Sequence, residues 1–337
     1  MLNLLVTGGA GFIGSHVVRT ILACSDLTDY KVLVLDDLSG GFQGNIPQDR
    51  RVEFVEGSVT DHELVKRLFQ EKQFRYVYHF AAYAAEGLSH FIRRFNYTNN
   101  LIGSVNLINA AVNYGTKCFV FTSSIAVYGA GQVPMREDMV PQPEDPYGVA
   151  KYAVELDLNA AHEMFGLNFI IFRPHNVYGE YQNIGDKYRN VVGIFMNQIL
   201  QREAMTIFGD GIQQRAFSYI GDIAPIIARS PLVQDAQNRI FNIGADQPYT
   251  VNDLAAVVAK AMGSTPRVAH LPGRNEVKIA FSDHSACERV FGRTAQTTLE
   301  EGLRRMAAWV KEVGARKSKE FDGIEIQQSL PPSWTMS

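Results

Sequence analysis

Three groups of residues in this chain have types and spacing suited to chemistry. The string Val6-Thr7-Gly8-Gly9-Ala10-Gly11-Phe12-Ile13-Gly14-Ser15-His16 lies where an apolar run gives way to an amphipathic stretch. Strand, glycine turn and helix in that order cradle a dinucleotide pyrophosphate at a helix N-terminus. Gly8 would make the tight turn, Gly11 would admit the phosphates to backbone N–H groups, and Gly14 would let helix and strand pack closely. Tyr147 and Lys151 form a second group, four residues apart behind the proline-rich turn 141–146. On a helix they share one face. A free phenol titrates near pH 10 and is a poor base at neutral pH, whereas a neighbouring ammonium favours the phenolate. The expectation is a tyrosine whose pKa is lowered into acid/base use. Ser124 follows a further apolar run, where its hydroxyl can bond the same substrate oxygen. An exposed helix start and a serine cap would read the same way in isolation.

Asp36 ends the next apolar run, about 20 residues past the glycines, where a carboxylate accepts from the adenosine ribose hydroxyls. It would repel a 2′-phosphate, and no Arg or Lys follows in Asp36-Asp37-Leu38-Ser39-Gly40-Gly41. The pattern selects NAD over NADP.

These residues need a scaffold that gathers them. Apolar β-rich runs at 2–6, 32–35, 52–55, 76–80, 118–122 and 169–172 alternate with helical patterns at 61–70, 91–113 and 147–165. Such alternation predicts an α/β fold, a Rossmann-type doubly wound parallel sheet. Ligands in these sheets lie at the carboxyl ends of the strands, which here carry the glycine turn, Asp36, Ala81-Ala82 and Thr122-Ser123-Ser124. After about Arg173 the strands become isolated (206–208, 216–220, 239–243) and Gly and Pro more frequent, predicting a smaller α+β C-terminal substrate lobe. The division read from this pattern is a dinucleotide-binding domain at 1–173 with a returning segment at about 216–244. A substrate lobe takes 174–215 and 245–316, and 317–337 is a polar, Pro-containing tail that packs as an extended arm or frays.

With 46% hydrophobic and 20% charged residues, the 337-residue chain reads as a soluble globular protein. A net charge of −3 gives no reason for a nucleic-acid or anionic-membrane partner. No apolar run approaches the roughly 20 residues of a membrane span. The chain starts directly in a strand, leaving no room for a signal peptide. Three scattered cysteines, Cys24, Cys118 and Cys287, suit reduced core positions in the cytoplasm and neither a disulfide framework nor a metal site.

Further motifs are His79-Phe80-Ala81-Ala82, Asn99-Asn100-Leu101-Ile102-Gly103-Ser104 and Thr122-Ser123-Ser124-Ile125-Ala126-Val127-Tyr128-Gly129. After Tyr147-x-x-x-Lys151 come Arg173-Pro174-His175-Asn176-Val177-Tyr178-Gly179, Phe208-Gly209-Asp210-Gly211 and the stretch near Arg215. Over roughly residues 1–312 the chain resembles the extended short-chain dehydrogenase/reductase family, within it the NAD-dependent nucleotide-sugar epimerases and dehydratases, and most of all the UDP-glucose (UDP-galactose) 4-epimerases. The resemblance implies that Ser124 and Tyr147 are catalytic and that Lys151 binds the nicotinamide ribose and tunes Tyr147. It assigns the cofactor to Gly8, Gly11, Phe12, Ile13, Gly14, Asp36, Ser58, Val59, Phe80, Ala81, Ala82 and Asn99 as well. Asn176, Arg215 and Arg274 would meet the nucleotide-sugar diphosphate, for which an arginine fork is well shaped. A homodimer paired through 91–113 and 147–165 is also implied.

Two departures stand out. Family members commonly have Asp, binding the adenine amino group, where this chain has Ser58. The segment 83–89 lacks the basic residue often found there, and its Glu86 either accepts from a sugar hydroxyl or caps the following helix. Dehydratase relatives carry Asp-Glu just after the strand-end Ser/Thr, decarboxylases usually carry Glu there, and GDP-mannose 3,5-epimerases a nearby Cys; this chain has Ile125-Ala126. The reading that follows is C4 epimerisation through a transient 4-keto sugar, with UDP-glucose/UDP-galactose the leading pair and UDP-glucuronate its competitor. Decarboxylation or 4,6-dehydration rank next, and a non-catalytic NAD-sensing scaffold ranks last because Tyr147, Lys151 and Ser124 are all kept. His175, Tyr178, Lys187 and Arg189 are close enough in motif context to face the sugar, or to serve packing and surface.

Overall fold

The apolar runs of the first half alternate in side, and both sides are covered. A computed structural model describes residues 2–273, 277–293, 296–317, 321–331 and 334. Strands β1 (Leu2–Thr7), β2 (Tyr30–Asp36), β3 (Val52–Glu56), β4 (Phe74–His79), β5 (Cys118–Thr122), β6 (Phe169–Pro174) and β7 (Arg239–Ile243) form one parallel sheet. Their order is β7-β6-β5-β4-β1-β2-β3. Leu4, Val6, Val32, Val34, Tyr78, Ile170 and Phe172 point to one face, where α1 (Phe12–Ala23) and the helix Ile220–Arg229 contribute Val17, Ile21, Ile223 and Ile227. Leu5, Leu33, Leu35, Val77, Phe119, Phe121 and Ile171 point to the other. There α2 (His62–Lys72), α3 (Gly103–Asn113) and α4 (Pro146–Phe165) supply Leu68, Phe69, Leu107, Val154 and Leu158. A strand's period of two therefore feeds two separate cores, the doubly wound arrangement predicted above.

The helix expected over 91–113 is interrupted. Arg93–Tyr97 leads into a π-helical turn, Thr98–Ile102, before α3 begins. The widened turn holds the Asn100 side chain against Tyr83, its Oδ1 accepting from Tyr83 N at 2.8 Å and its Nδ2 donating to Tyr83 O at 3.1 Å. These two side-chain-to-backbone hydrogen bonds tie the loop after β4 to the helix. The single strand expected over 216–220 is likewise two, Gln214–Ala216 and Ser218–Tyr219, which pair with different partners on either side of buried Phe217.

Beyond the main sheet, Pro248–Thr250, Gln214–Ala216 and Ile279–Ala280 make a three-stranded sheet, and Met205–Phe208 pairs with Val268–Leu271. The chain's last described segment packs rather than frays: Phe321, Ile324, Leu330 and buried Trp334 cover Ala85, Leu88 and Ile92. Among the described residues no helix is long and apolar enough to cross a membrane.

Candidate active site

A cavity of about 940 Å³ opens across the carboxyl ends of the strands. Its first wall is the glycine turn. Gly8 has φ of +71°, and a Cβ there would lie 2.6 Å from Ala81 N. At Gly14 a Cβ would lie 2.3 Å from Gly8 O, so helix α1 can approach β1 this closely only without a side chain. Gly8, Gly11, Phe12, Ile13 and Gly14 all line the cavity. Buried Asp36 closes this end, its Oδ2 accepting from Ala10 N at 3.0 Å and its Oδ1 from Leu38 N at 2.8 Å. Burial raises its pKa, and these N–H donors pull it back. A crevice with fixed amide donors, a carboxylate at the end of β2 and no room for side chains beside the turn fits a dinucleotide.

Val59, Phe80, Ala81, Ala82 and Asn99 line the same cavity, and Asn99 donates to Phe95 O at 2.9 Å. Ser58 is turned to local work: its hydroxyl lies 2.9 Å from Thr60 Oγ1 and accepts from Thr60 N at 3.2 Å. Gly57 and Val59, on either side of it, supply the lining.

The second wall brings Ser124, Tyr147 and Lys151 together. Asp145 caps α4 by accepting from Gly148 N at 2.9 Å, and Pro146 takes the first helical turn, where a missing N–H costs nothing. Gly148 then lets the helix start sit against the loop after β5, since a Cβ there would lie 2.7 Å from Ala126 O. This approach sets Tyr147 and Ser124 near one another on the cavity wall, where the Ser124 hydroxyl favours the phenolate and its Oγ accepts from Ala126 N at 3.1 Å. One turn on, buried Lys151 donates from Nζ to Thr122 O at 2.8 Å, and Nζ stands 5.8 Å from the Tyr147 ring centre.

The electrostatics correct one expectation. Burial dominates at Tyr147 and pushes its pKa up. The Ser124 hydrogen bond and the Arg189 charge lower it, while the Glu86 and Asp145 carboxylates raise it. Burial outweighs the lowering that the sequence suggested. At Lys151 burial takes the side chain's own pKa down to about 7, against the pull of Glu155, and one of its donors goes to the Thr122 carbonyl.

Behind the pair is a buried network that the sequence reading did not include. Glu155 accepts from Arg173 Nε at 2.9 Å and from Ser123 Oγ at 2.5 Å, and also pairs with Arg173 Nη2. Arg173 Nη1 donates to Tyr128 Oη at 2.7 Å, which donates to Asn242 Oδ1 at 2.9 Å. Ser123 and Tyr128 flank the catalytic candidates, so α4, β6 and the post-β5 loop are locked in one register. Tyr147, Lys151 and Glu155 recur at four-residue intervals, which was the available signal. His79, beneath the cavity floor, bridges Thr7 Oγ1 (2.7 Å) and Ser104 Oγ (2.8 Å), and burial takes its pKa down to about 3, with the Lys151 charge acting in the same direction.

Asn176 and Arg215 line the far part of the cavity. Asn176, at φ of +40°, donates to Ala216 O at 3.1 Å, and Arg215 Nη1 donates to Gln214 O at 2.8 Å. Arg274 lies outside the described residues. Glu86 lines the cavity at the first residue of the helix Glu86–Ser89. His175 also lines it, but its ring is occupied, with Nδ1 3.0 Å from Ala216 O and Nε2 3.0 Å from His284 Nε2. Tyr178 is a buried packing residue, whereas Arg189 enters the cavity wall beside Asp186. No group of three or more His, Cys, Asp or Glu among the described residues could hold a metal ion.

Fold and site together define an α/β protein that binds a dinucleotide beside a Ser/Tyr/Lys group. Residues 4–244 match the model of the NAD dependent epimerase/dehydratase family, and the chain belongs to that family. It is 32% identical to the UDP-glucose 4-epimerase of Mycolicibacterium smegmatis over 305 residues, 89% of this chain and 95% of that one. Among solved structures it is similar to the Thermotoga maritima UDP-glucose 4-epimerase with UDP-glucose, with a TM-score of 0.86 and 32% identity over 93% of this chain and 99% of that one. The UDP-glucuronic acid 4-epimerase of Bacillus cereus, in complex with UDP-glucuronic acid and NAD, gives 0.84 and 27% over 93% and 100%. The cofactor is NAD, and the protein is an NAD-dependent nucleotide-sugar enzyme of this family.

Proposed function

We propose that the chain interconverts UDP-glucose and UDP-galactose by inverting C4. The observation that carries this reading is the Tyr147–Ser124 pair facing the cavity with an apolar Ile125-Ala126 wall beside it. That wall offers no second acid and base for elimination. NAD, when bound, supplies the hydride acceptor and donor. Tyr147, as the phenolate that the Ser124 hydroxyl, the Arg189 charge and the positive charge of a bound nicotinamide would favour against burial, takes the proton of the sugar 4-hydroxyl and later returns it, while Ser124 bonds the same oxygen and keeps it aimed at the phenol. Lys151 holds the nicotinamide ribose. The glycine turn, Asp36, Val59, Phe80, Ala81, Ala82 and Asn99 hold the rest of the cofactor, with Ser58 acting through its turn. Asn176, Arg215 and Arg274 hold the diphosphate. Net redox is zero, so catalysis runs on cofactor that stays bound.

UDP-glucuronate is a second reading, favoured by the Arg189 guanidinium at the Tyr147 end of the cavity and by the relative that binds it. Ile102, Val149 and Leu156 expose apolar side chains along the helical segments expected to pair, which supports a homodimer. The test is incubation of purified protein with a panel of UDP-, GDP- and CDP-sugars, followed by product identification. The expected result is a C4-inverted UDP-hexose without added NAD. UDP-xylose or a 6-deoxy-4-keto sugar as the product would overturn it.

A further inference from the structure

The C-terminal arm docks onto both walls of the Tyr147 end of the cavity. On one wall, Phe321 packs against Tyr83 (centroids 5.2 Å apart) and Phe95 (4.9 Å), while Tyr83 and Phe95 meet edge-on at 5.3 Å. Glu325 fixes the same wall, its two carboxylate oxygens accepting from Arg94 N (2.7 Å) and Phe95 N (2.8 Å), and its own N–H donating to Phe91 O at 2.8 Å. Trp334 lies over Gly87, next to Glu86, and meets Phe91 edge-on at 5.9 Å. On the opposite wall, Trp334 meets Tyr188 edge-on at 5.3 Å, and Phe321 N donates to Tyr188 Oη at 3.3 Å. Tyr188 adjoins Arg189, whose guanidinium lies 4.7 Å from the Tyr83 ring centre while its Nε donates to Asp186 Oδ2 at 2.7 Å. Tyr83, Glu86, Asp186, Tyr188 and Arg189 all line the cavity.

We propose that the arm described at 321–331 and at Trp334 is a specificity element for the sugar: a strap that ties the wall bearing Glu86 to the wall bearing Arg189 and so fixes the spacing of the polar groups a hexose meets beside Tyr147. The naming of a hexose rests on the function proposed above. The contacts of the strap's described residues fall on 83–95 and on Tyr188, away from the glycine turn and Arg215, so it governs the sugar and leaves the nucleotide alone. Its members are positioning residues. They act through Tyr83, Tyr188 and Arg189, and a small shift of those groups is enough to misplace a substrate, since displacements of about 1 Å can cost as much as 10²-fold in rate. An Arg189 already paired with Asp186 offers both a donor and an acceptor, which suits hydroxyls better than a lone carboxylate.

The test uses the full chain with Trp334→Ala, Glu325→Gln and, as the conservative control, Trp334→Phe. Affinities for UDP-galactose, UDP-glucuronate and UDP alone are measured beside turnover. In Trp334→Ala the KM for UDP-galactose rises about tenfold or more, its preference over UDP-glucuronate falls, and Kd for UDP holds within about twofold; Trp334→Phe restores most of the loss. Parallel weakening of UDP and UDP-galactose, or an unchanged UDP-galactose KM in both Trp334→Ala and Glu325→Gln, overturns the proposal. Amide hydrogen exchange provides the readout that is independent of activity. Trp334→Ala should speed exchange at both 83–97 and 186–190 while sparing 8–14, and acceleration confined to the arm overturns the strap. A parent chain that turns over no UDP-hexose refutes the function proposed above and leaves the exchange result to decide the strap.

Discussion

The two ends of one cavity are assembled by different means. At the glycine end the turn and its carboxylate come from residues 8 to 36, with Ala81 packed against Gly8, and Asp36 bonds straight back to the turn through Ala10 N. At the Tyr147 end the groups come from Glu86, Ser124, Asp145, Tyr147 and Arg189, with the arm at Phe321 and Trp334 behind them. The first end is a local backbone device, and the second is a meeting of distant elements. On the strap proposed above, a change in a remote segment would move the second end without touching the first.

Four experiments would break or sharpen this contrast. The largest effect is expected at the assembled end. Tyr147→Phe should lower kcat by about 10³-fold or more with NAD content unchanged, because only the proton transfer is removed; steady-state rates and the absorbance of bound cofactor check both halves. Glu155→Ala should come next, on stability. It leaves the Arg173 guanidinium buried without its carboxylate, at a cost of about 3–5 kcal/mol, measurable by urea unfolding. A drop of under about 1 kcal/mol would show that the network does not hold the catalytic helix.

Lys151 makes the third prediction through its titration. Folding lowers its pKa from 10.5 to about 7, so between those values the unfolded chain holds the proton more tightly than the native one. Stability should therefore rise with pH across that window by up to about 1.4 kcal/mol per pH unit from this group. Lys151→Met should flatten the rise, seen as unfolding free energies at pH 7 and pH 9. Smallest is the loss of a local cap. Asp61→Ala removes the acceptor for Leu64 N at the start of α2 and should cost about 1 kcal/mol with no change in kcat.

The sequence was most legible where neighbours in the chain decide the outcome. The strand at Cys118–Thr122 was read to its ends, and the glycine turn, Asp36 and the start of α4 stand where the motifs put them. The 91–113 helix was legible as a helix but not in its π turn, which exists because Asn100 must reach the backbone of Tyr83 in a different element. Arg173 was read only as the first residue of a motif, and its pairing with Glu155 escaped notice because a buried ion pair looks like two solvated charges until the fold covers them.

What the sequence alone determined is the alternation of strand and helix, the glycine turn, the place of Asp36 at the end of β2, and the placing of Ser124, Tyr147 and Lys151 along one cavity. Each follows from rules of spacing and backbone freedom that act over a few residues. Tertiary structure alone decided that burial raises the Tyr147 pKa, that Lys151 is tied to Thr122, and that Phe321 and Trp334 pack against Ala85, Leu88 and Ile92. Desolvation and contact depend on what distant segments cover, and a one-dimensional pattern carries no measure of that.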